Sequence, residues 1–208
     1  NIGLDMTLGT HNFDITRKTL HVLPPHHTFG STVNYVGHLS QGCEVYISSG
    51  IKHVSDEIRE QQPTHLILVP AFLEVMNRKI WTTARKSGKE GMLKVMMKVS
   101  DCLRKVGIDV RRKLFSSVLS AFGGKLELII CGGAKLDEEI INTFDSLGIT
   151  ILNGYGITEC SPLISANRNE YRKSGSVGTP ILACRVKIDN PDENGEGEIC
   201  VKGPNVML

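Results

Sequence analysis

The chain has 208 residues, of which 40% are hydrophobic and 22% are charged, and its formal net charge at pH 7 is +2. This composition is that of a globular protein and excludes an intrinsically disordered chain. The small net charge argues against a nucleic-acid partner, which usually needs a strongly basic domain.

The sequence also indicates the redox environment of the protein, its relation to membranes and its place in a longer chain. The six cysteines show no Cys-x-x-Cys pair and no close grouping with histidine, so reduced thiols in a cytoplasmic protein are expected. No apolar run reaches the roughly 18 to 20 residues of a membrane span, so at most a peripheral membrane association is expected. The chain starts with Asn1 and stops in a Gly/Pro segment, which suggests an internal piece of a longer protein.

The first part of the chain alternates apolar runs with helical segments. Strands are predicted at 20–23 and 43–47, with a helix compatible with 29–39 between them. A second helix is predicted near Ser55, whose hydroxyl is available as its N-cap, and 65–69 reads as an apolar strand. Such unbroken apolar strands predict the α/β class, with a mostly parallel sheet flanked by helices.

A helical insertion is predicted at about 71–122, where apolar residues recur at helical spacing and no strand pattern occurs. Twelve Lys and Arg residues lie between Arg78 and Lys113. They either form a face for anionic lipid or for the phosphates of coenzyme A, or belong to a solvated helix surface, which is the simpler interpretation.

The clearest unit is a strand at 126–131, a helix at about 137–147 and a strand at 149–152. Asp137 can cap the helix, and Gly148 can adopt the left-handed conformation that ends it. The pattern predicts a right-handed βαβ crossover. Beyond it, alternation at 185–189 and 198–202 predicts the beginning of an antiparallel β subdomain at 185–208, after an α/β subdomain at 1–184.

Ligands of open α/β sheets bind outside the carboxyl ends of the strands, and both strands of this unit are followed by glycine-rich segments. In the first, the small side chains let a flat ring approach the backbone. The second offers an amide for an adenine edge, a ring to stack on it, a hydroxyl for a phosphate and a carboxylate for Mg²⁺. Singly, each residue equally fits packing, solvation or a turn. The candidates are Gly132, Gly133, Ala134, Lys135, Asn153, Gly154, Tyr155, Gly156, Thr158 and Glu159.

As a string, Tyr-Gly-Ile-Thr-Glu at 155–159 closely resembles the Tyr-Gly-x-Thr-Glu motif of the adenylate-forming superfamily, the AMP-binding enzymes. Four further segments resemble family motifs in the expected order: Pro-Pro-His-His-Thr-Phe-Gly at 24–30, Gly-Gly-Ala-Lys-Leu at 132–136, Gly-Ser-Val-Gly-Thr-Pro at 175–180 and Gly-Glu-Gly-Glu-Ile at 195–199. The resemblance covers essentially the whole chain.

The resemblance also implies roles for the candidate residues. His27 would border the acyl carboxylate, and Tyr155 would stack on the adenine. The segment 132–135 and Asn153 would line the adenine. Thr158 would contact the α-phosphate, and Glu159 would hold magnesium. Lys135 stands where the family usually has Pro, so only its backbone role carries over.

The likeness is greatest to the long-chain fatty acid CoA ligases. It implies that ATP and Mg²⁺ are used to activate a fatty acid as acyl-adenylate, which is then transferred to coenzyme A. The triphosphate-binding loop, the ribose-binding Asp segment and the C-terminal domain of the family are not in the sequence, so the chain alone is expected to be inactive.

Three alternatives stay open at this point. An acyl-carrier-protein ligase and an amino or aryl acid adenylation domain share the same AMP motifs. A dinucleotide binder or a non-catalytic nucleotide-binding module is disfavoured, because 154–159 lacks the third Gly of the dinucleotide fingerprint.

Overall fold

The computed structural model describes residues 16–169, 171–182 and 184–208, so the N-terminal 15 residues of the predicted α/β subdomain lie outside the described residues. In the described chain, the strands are β1 (Lys18–His21), β2 (Glu44–Ile47), β3 (His65–Leu68), β4 (Leu128–Cys131), β5 (Thr150–Gly156), β6 (Leu163–Ala166), β7 (Thr179–Pro180), β8 (Arg185–Asp189) and β9 (Glu198–Lys202). Strands β1 to β7 form one sheet in the order β2-β1-β3-β4-β5-β6-β7, and β8 pairs with β9 in a second.

The helices connect these strands. Helix α1 begins as a π-helical segment (Phe29–Val36) and continues as an α-helix (Gly37–Ser40), and α2 (Val54–Gln61) precedes β3. Between β3 and β4 lie α3 (Pro70–Lys86), α4 (Glu90–Lys105), α5 (Arg111–Leu114) and α6 (Ser116–Ser120), so this segment is helical as its spacing predicts. Helix α7 (Glu138–Ser146) joins β4 to β5. Among the described residues, no helix combines the length and apolar character needed to cross a membrane.

The predicted fold class is confirmed. Strands β2, β1, β3, β4 and β5 are parallel to their neighbours, while β6 and β7 extend the sheet antiparallel. Alternate residues of β3 and β4 enter two different cores, so that Leu66 and Ile129 lie in one and Ile67 and Ile130 in the other. All four are at most 3% exposed, which is why these strands read as continuous apolar runs.

Several local predictions were wrong. Strand β1 occupies 18–21 instead of 20–23, since its pairing with β2 ends at His21 opposite Ile47. Ser55 does not cap α2, which begins at Val54 and has His53 at its N-cap position. Strand β5 runs on to Gly156 because β6, which the sequence did not predict, pairs with its last residues.

The βαβ unit is built as its sequence signals predict. The Asp137 side chain accepts a hydrogen bond of 2.9 Å from the Glu139 amide, which satisfies one of the free amides at the start of α7. Gly148 follows the end of α7 with φ +86°, a conformation that favours glycine. The hairpin β8-β9 is likewise confirmed, whereas the subdomain boundary at 184/185 stays a prediction.

Part of the basic segment at 78–113 has a structural role. Arg104 and Arg111 pair with the carboxylate of Asp145 on α7, which also accepts from Arg172. The guanidinium of Arg112 donates to the carbonyls of Leu126 and Gly124 at 2.8 Å each. These contacts tie the insertion to the βαβ unit, so the arginines concerned are not a free surface for anions.

A buried polar seam lies between β1, β3 and α1, formed by Thr19, His21, Asn34, His38 and His65, all at most 4% exposed. The His38 Nδ1–H donates to the Asn34 carbonyl at 2.7 Å, and the Thr19 hydroxyl donates to the Asn34 side chain at 3.0 Å. Burial lowers the pKa of His38 to about 4. The imidazole is therefore neutral at pH 7, and the unfolded chain binds the proton more readily than the folded one.

This difference predicts an acid-sensitive fold. With a pKa near 6.5 unfolded and about 4 folded, His38 costs nothing above pH 6.5 and destabilises the protein as the pH falls from 6.5 towards 4. The loss between pH 7 and pH 5 should be about 2 kcal/mol. Urea titrations at several pH values should show that the free energy of unfolding depends less steeply on pH in His38→Gln than in the wild type. Substitution of the exposed His26 by Gln should leave the pH dependence of the wild type unchanged. If the free energy of unfolding changed equally with pH in all three proteins, buried His38 would not be the cause of the acid sensitivity.

Candidate nucleotide-binding site

Three chain segments meet at the carboxyl ends of β1, β4 and β5 and enclose a cavity of about 150 Å³. Most of the predicted site residues line it. The lining from these segments comprises His27, Thr28, Phe29, Gly132, Gly133, Gly154, Tyr155, Gly156, Ile157 and Thr158. Ala134 and Lys135 lie exposed on the loop towards α7, and Glu159 is exposed beside Thr158. Asn153, which directly precedes Gly154 on β5, is not among the lining residues either. The structure thus assembles the core of the predicted set and leaves these four outside the lining.

The end of β5 is a strand with two glycines, not the predicted loop. Gly154 pairs with Ala166 and Tyr155 with Ser165 of β6, and the register shifts between Tyr155 and Gly156. A Cβ on Gly156 would lie 2.0 Å from the Pro162 carbonyl oxygen, so β6 can approach only because this residue has no side chain. Tyr155 is half-buried and packs against the core on that face.

The turn after β4 is also shaped by missing side chains. A Cβ on Gly132 would lie 3.2 Å from the Phe29 ring, and Gly133 adopts φ +87°. The Gly132 amide donates to the Leu68 carbonyl at 3.3 Å, so it continues the sheet and is not free for a ligand. Phe29 was not predicted as a site residue, because only the fold brings it against this turn.

Asn153 carries an unsatisfied polar atom. Its backbone carbonyl accepts from the Asn167 amide at 2.8 Å, while its side-chain Oδ1 is buried and has no hydrogen-bond partner among the described residues. Buried side-chain oxygens are nearly always paired in folded proteins. Asn153 adjoins Gly154, which lines the pocket, so its unpaired acceptor fits a ligand that carries an N–H group, such as the adenine amino group.

The polar wall of the pocket consists of hydroxyls and an imidazole. The Thr28 and Thr158 hydroxyl oxygens lie 3.4 Å apart and join the loop after β1 to the short 3₁₀ turn Thr158–Cys160. The His27 Nδ1 accepts from the Phe29 amide at 3.2 Å, which places the proton of the neutral ring on Nε2. Thr28 was not predicted either, because its partner lies 130 residues away.

Glu159 is the predicted metal ligand. Its side chain is exposed, and its backbone carbonyl accepts from the Met207 amide at 2.8 Å. Across the described ranges, no three His, Cys, Asp or Glu side chains are grouped so that they could hold a metal ion by themselves. A single carboxylate suits Mg²⁺, which usually takes one or two protein carboxylates together with substrate phosphates and water.

A second cavity of about 750 Å³ adjoins the first, and the two share His27, Phe29 and Gly133 in their walls. The larger cavity lies at the ends of β1, β2 and β3, where the strand order reverses and open α/β sheets bind ligands. Its lining is mostly apolar. A third cavity, of about 320 Å³, lies among the helices of the insertion, between residues 79 and 122.

Substitution of the two β5 glycines should have unequal effects. The Cβ of Gly156→Ala would meet the Pro162 carbonyl oxygen at 2.0 Å, whereas the nearest atoms to a Cβ on Gly154 lie at 3.4 Å. We expect Gly156→Ala to lower the free energy of unfolding by roughly 1 to 3 kcal/mol and Gly154→Ala to cost clearly less. Urea denaturation of both variants measures this. An equal or reversed order would mean that β6 does not approach Gly156 as described.

The chain is similar to known proteins in sequence and in fold. The family model described as "AMP-binding enzyme" matches residues 4–208. The long-chain-fatty-acid–CoA ligase 6 of Rattus norvegicus is 30% identical over 197 residues, which are 89% of this chain and 28% of the ligase. The chloroplastic long-chain-fatty-acid–[acyl-carrier-protein] ligase AEE15 of Arabidopsis thaliana is 24% identical over 235 aligned residues, covering 91% of this chain and 32% of that protein.

Among solved structures, the anthranilate CoA ligase AuaEII in complex with anthranoyl-AMP superimposes with a TM-score of 0.66 at 16% identity. The match covers 99% of this chain and 34% of that one, and at this identity it shows a shared fold. The chain therefore spans about a third or less of the length of these three relatives. Since the family model matches nearly all of its residues, the chain belongs to the AMP-binding enzyme family.

Proposed function

We propose that this chain forms the adenylate-binding part of an ATP-dependent ligase that activates a fatty acid as acyl-adenylate and transfers it to coenzyme A. The observation that carries the proposal is the meeting of the ends of β1, β4 and β5 around one small pocket that opens next to a larger apolar cavity. Family membership supports the adenylate chemistry, and the likeness to a fatty acid CoA ligase supports the acid and the thiol.

In this proposal the adenine lies between the two glycine-containing segments. The unpartnered Oδ1 of Asn153 accepts a hydrogen bond from the adenine amino group. The half-buried ring of Tyr155 stacks on the base, and Gly132 and Gly133 leave room for it beside the sheet. These contacts use atoms that the described fold leaves unsatisfied or uncovered.

The phosphate end of the nucleotide would lie towards Thr158. The hydroxyls of Thr158 and Thr28 are close enough to act on one phosphate group as a pair of donors. Glu159 would hold the metal, and Mg²⁺, when bound, neutralises charge on the phosphate oxygens during displacement of pyrophosphate. The carboxylate is exposed and its fold-stabilising contact uses only the backbone carbonyl, so the side chain is free for this role.

The junction of the two cavities is where the acid would react. With its Nδ1 occupied by the Phe29 amide, His27 presents its Nε2–H as a donor for the substrate carboxylate. The apolar cavity of about 750 Å³ then takes the acyl chain, and its volume is within the range of small-molecule pockets. Fixing the carboxylate beside the α-phosphate lowers the entropic part of the barrier.

The proposal also specifies the acyl acceptor and the class of acid. Coenzyme A is favoured as acceptor over an acyl carrier protein, because the CoA ligase relative is the more similar of the two. An amino acid is disfavoured, because its ammonium group would enter a large cavity whose lining is mostly apolar, although it includes His21 and Ser48. An aryl acid is disfavoured because the fatty acid CoA ligase is 30% identical to this chain, whereas the anthranilate CoA ligase is 16% identical. Thioester formation from a panel of acids, with both thiols offered, tests both points.

Glu159→Gln in the full-length protein that contains this chain tests the metal role. The substitution keeps the shape of the side chain and removes its charge, so carboxylate-dependent ATP–pyrophosphate exchange should fall on the order of 100-fold while thermal stability stays the same. The matched control is Glu60→Gln, an exposed acid on α2. Unchanged exchange and unchanged magnesium dependence in Glu159→Gln would show that this carboxylate does not hold the metal.

Variants at Tyr155 separate stacking from core packing. Tyr155→Phe keeps the ring and should retain most AMP affinity, whereas Tyr155→Ala should weaken AMP binding by about 1 to 3 kcal/mol. A half-buried ring should also cost less than the ~3 to 5 kcal/mol of folding free energy lost when a fully buried aromatic residue is cut to Ala. Calorimetric AMP titration and urea denaturation measure the two quantities. A large stability loss with unchanged affinity would make Tyr155 a core residue.

A further inference from the structure

One side chain in the wall of the large cavity is buried, polar and unused by the chemistry described above. His21, the last residue of β1, is 4% exposed and lines this cavity. Neither of its ring nitrogens has a hydrogen-bond partner among the described residues. An imidazole buried in this way is unusual, because buried polar atoms nearly always have a partner.

The other polar side chains of the cavity wall are already engaged or solvated. The Ser48 hydroxyl donates to the Glu57 carboxylate at 2.5 Å, and the Nδ1 of His27 accepts from the Phe29 amide. Tyr35 is 40% exposed, and its ring centroid lies 6.0 Å from that of His21. Besides the Nε2–H of His27, which the proposed function assigns to the substrate carboxylate, His21 is thus the buried polar group of this wall whose hydrogen-bonding capacity a bound molecule can still satisfy.

The protonation state of His21 restricts what that molecule can offer. Burial lowers the pKa of its imidazole, so the ring is neutral at pH 7. A neutral imidazole has one N–H donor and one nitrogen acceptor. A hydroxyl group can both accept and donate, so it complements either edge, whereas a methylene group complements neither and a carboxylate complements only the donor.

The His21 ring can present a nitrogen to the large cavity without any change in the volume of that cavity. Both nitrogens are shielded from solvent, so any atom of the ring that borders the cavity is a carbon. A half-turn about the Cβ–Cγ bond exchanges Nδ1 with Cδ2 and Nε2 with Cε1 in the same volume. The cavity shape is kept and a nitrogen replaces a carbon at its surface.

We infer that His21 is a specificity-determining residue that selects acids bearing a hydroxyl group on the acyl chain. The inference rests on the proposed function and makes the substrate class narrower, from fatty acids in general to hydroxylated ones. A site that hydrogen-bonds a substrate hydroxyl discriminates strongly against the analogue without it, because the buried partner is then left unpaired.

The test compares hexadecanoic acid with a series of hydroxyhexadecanoic acids that carry the hydroxyl at different positions. With the full-length protein, kcat/KM for acid-dependent pyrophosphate release should be higher for at least one positional isomer than for hexadecanoic acid, by about tenfold or more. In His21→Leu this ratio should fall to about one or below. The ratio compares two substrates of one protein, so a general loss of folded enzyme does not move it.

Tyr35→Phe is the matched variant, since it removes a hydroxyl from the same wall and leaves His21 in place; it should keep the ratio. If His21→Leu does not fold, His21→Gln, which retains a donor and an acceptor, should shift the preferred hydroxyl position. Activity with hexadecanoic acid but no preference for any hydroxylated isomer would overturn this inference and leave the proposed function standing. The same holds if the preference for a hydroxy acid over hexadecanoic acid persists in His21→Leu, or if it is lost in Tyr35→Phe. Absence of pyrophosphate release with every acid would overturn the proposed function itself.

Discussion

The parallel pairing of β3, β4 and β5 is the constraint on which the rest of the structure depends. Its register, which places Leu68 beside Cys131 and Cys131 beside Asn153, makes all three strands reach the same edge of the sheet together. Both faces of these strands are buried, so a shift by one residue would exchange two separate cores. The strand ends are therefore fixed in space, and this brings the residues that follow them together.

The antiparallel strand β6 makes the site deeper than parallel pairing alone would. It extends β5 by pairing with Gly154, Tyr155 and Gly156, and holds these residues as strand where a loop would be free to move. Close approach requires the missing side chain at Gly156, and the same lack of side chains at Gly132 admits Phe29. Phe29 and Gly133 form the partition between a small pocket for a nucleotide and a large one for an acyl chain.

Sequence patterns were sufficient for the elements whose signals are local. Helix α7 carries its own cap and its own ending glycine, and the apolar runs of β3 and β4 are explained by burial on two faces. The end of β5 and strand β6 were missed for the opposite reason. Gly-Tyr-Gly and Leu-Ile-Ser-Ala each contain a single strand-favouring residue, Tyr155 and Ile164, and it is their mutual pairing that makes them strands.

Site residues that belong to a contiguous motif could be predicted from the sequence. Site residues that only the fold brings to the pocket could not. The residues at 132–133 and 154–158 form two short contiguous strings, so their order suits a nucleotide and their motifs carry the family resemblance. Thr28, Phe29 and His21 reach the two cavities through the loop and strand at the other end of the parallel sheet, and their partners lie more than 100 residues away in two cases. The motif at 24–30 assigns His27 to the site, but the contacts of its neighbours Thr28 and Phe29 arise from tertiary packing and leave no local pattern.

Photoaffinity labelling of the full-length protein with 8-azido-AMP tests the central claim, that AMP lies at the ends of β4 and β5, most directly. If AMP lies there, excess AMP suppresses the label, and the label maps to peptides containing 132–135 or 153–159. The competing cavity of about 320 Å³, lined by residues between 79 and 122, provides the contrast. AMP-sensitive label in those helices, with none at the strand ends, would contradict the account.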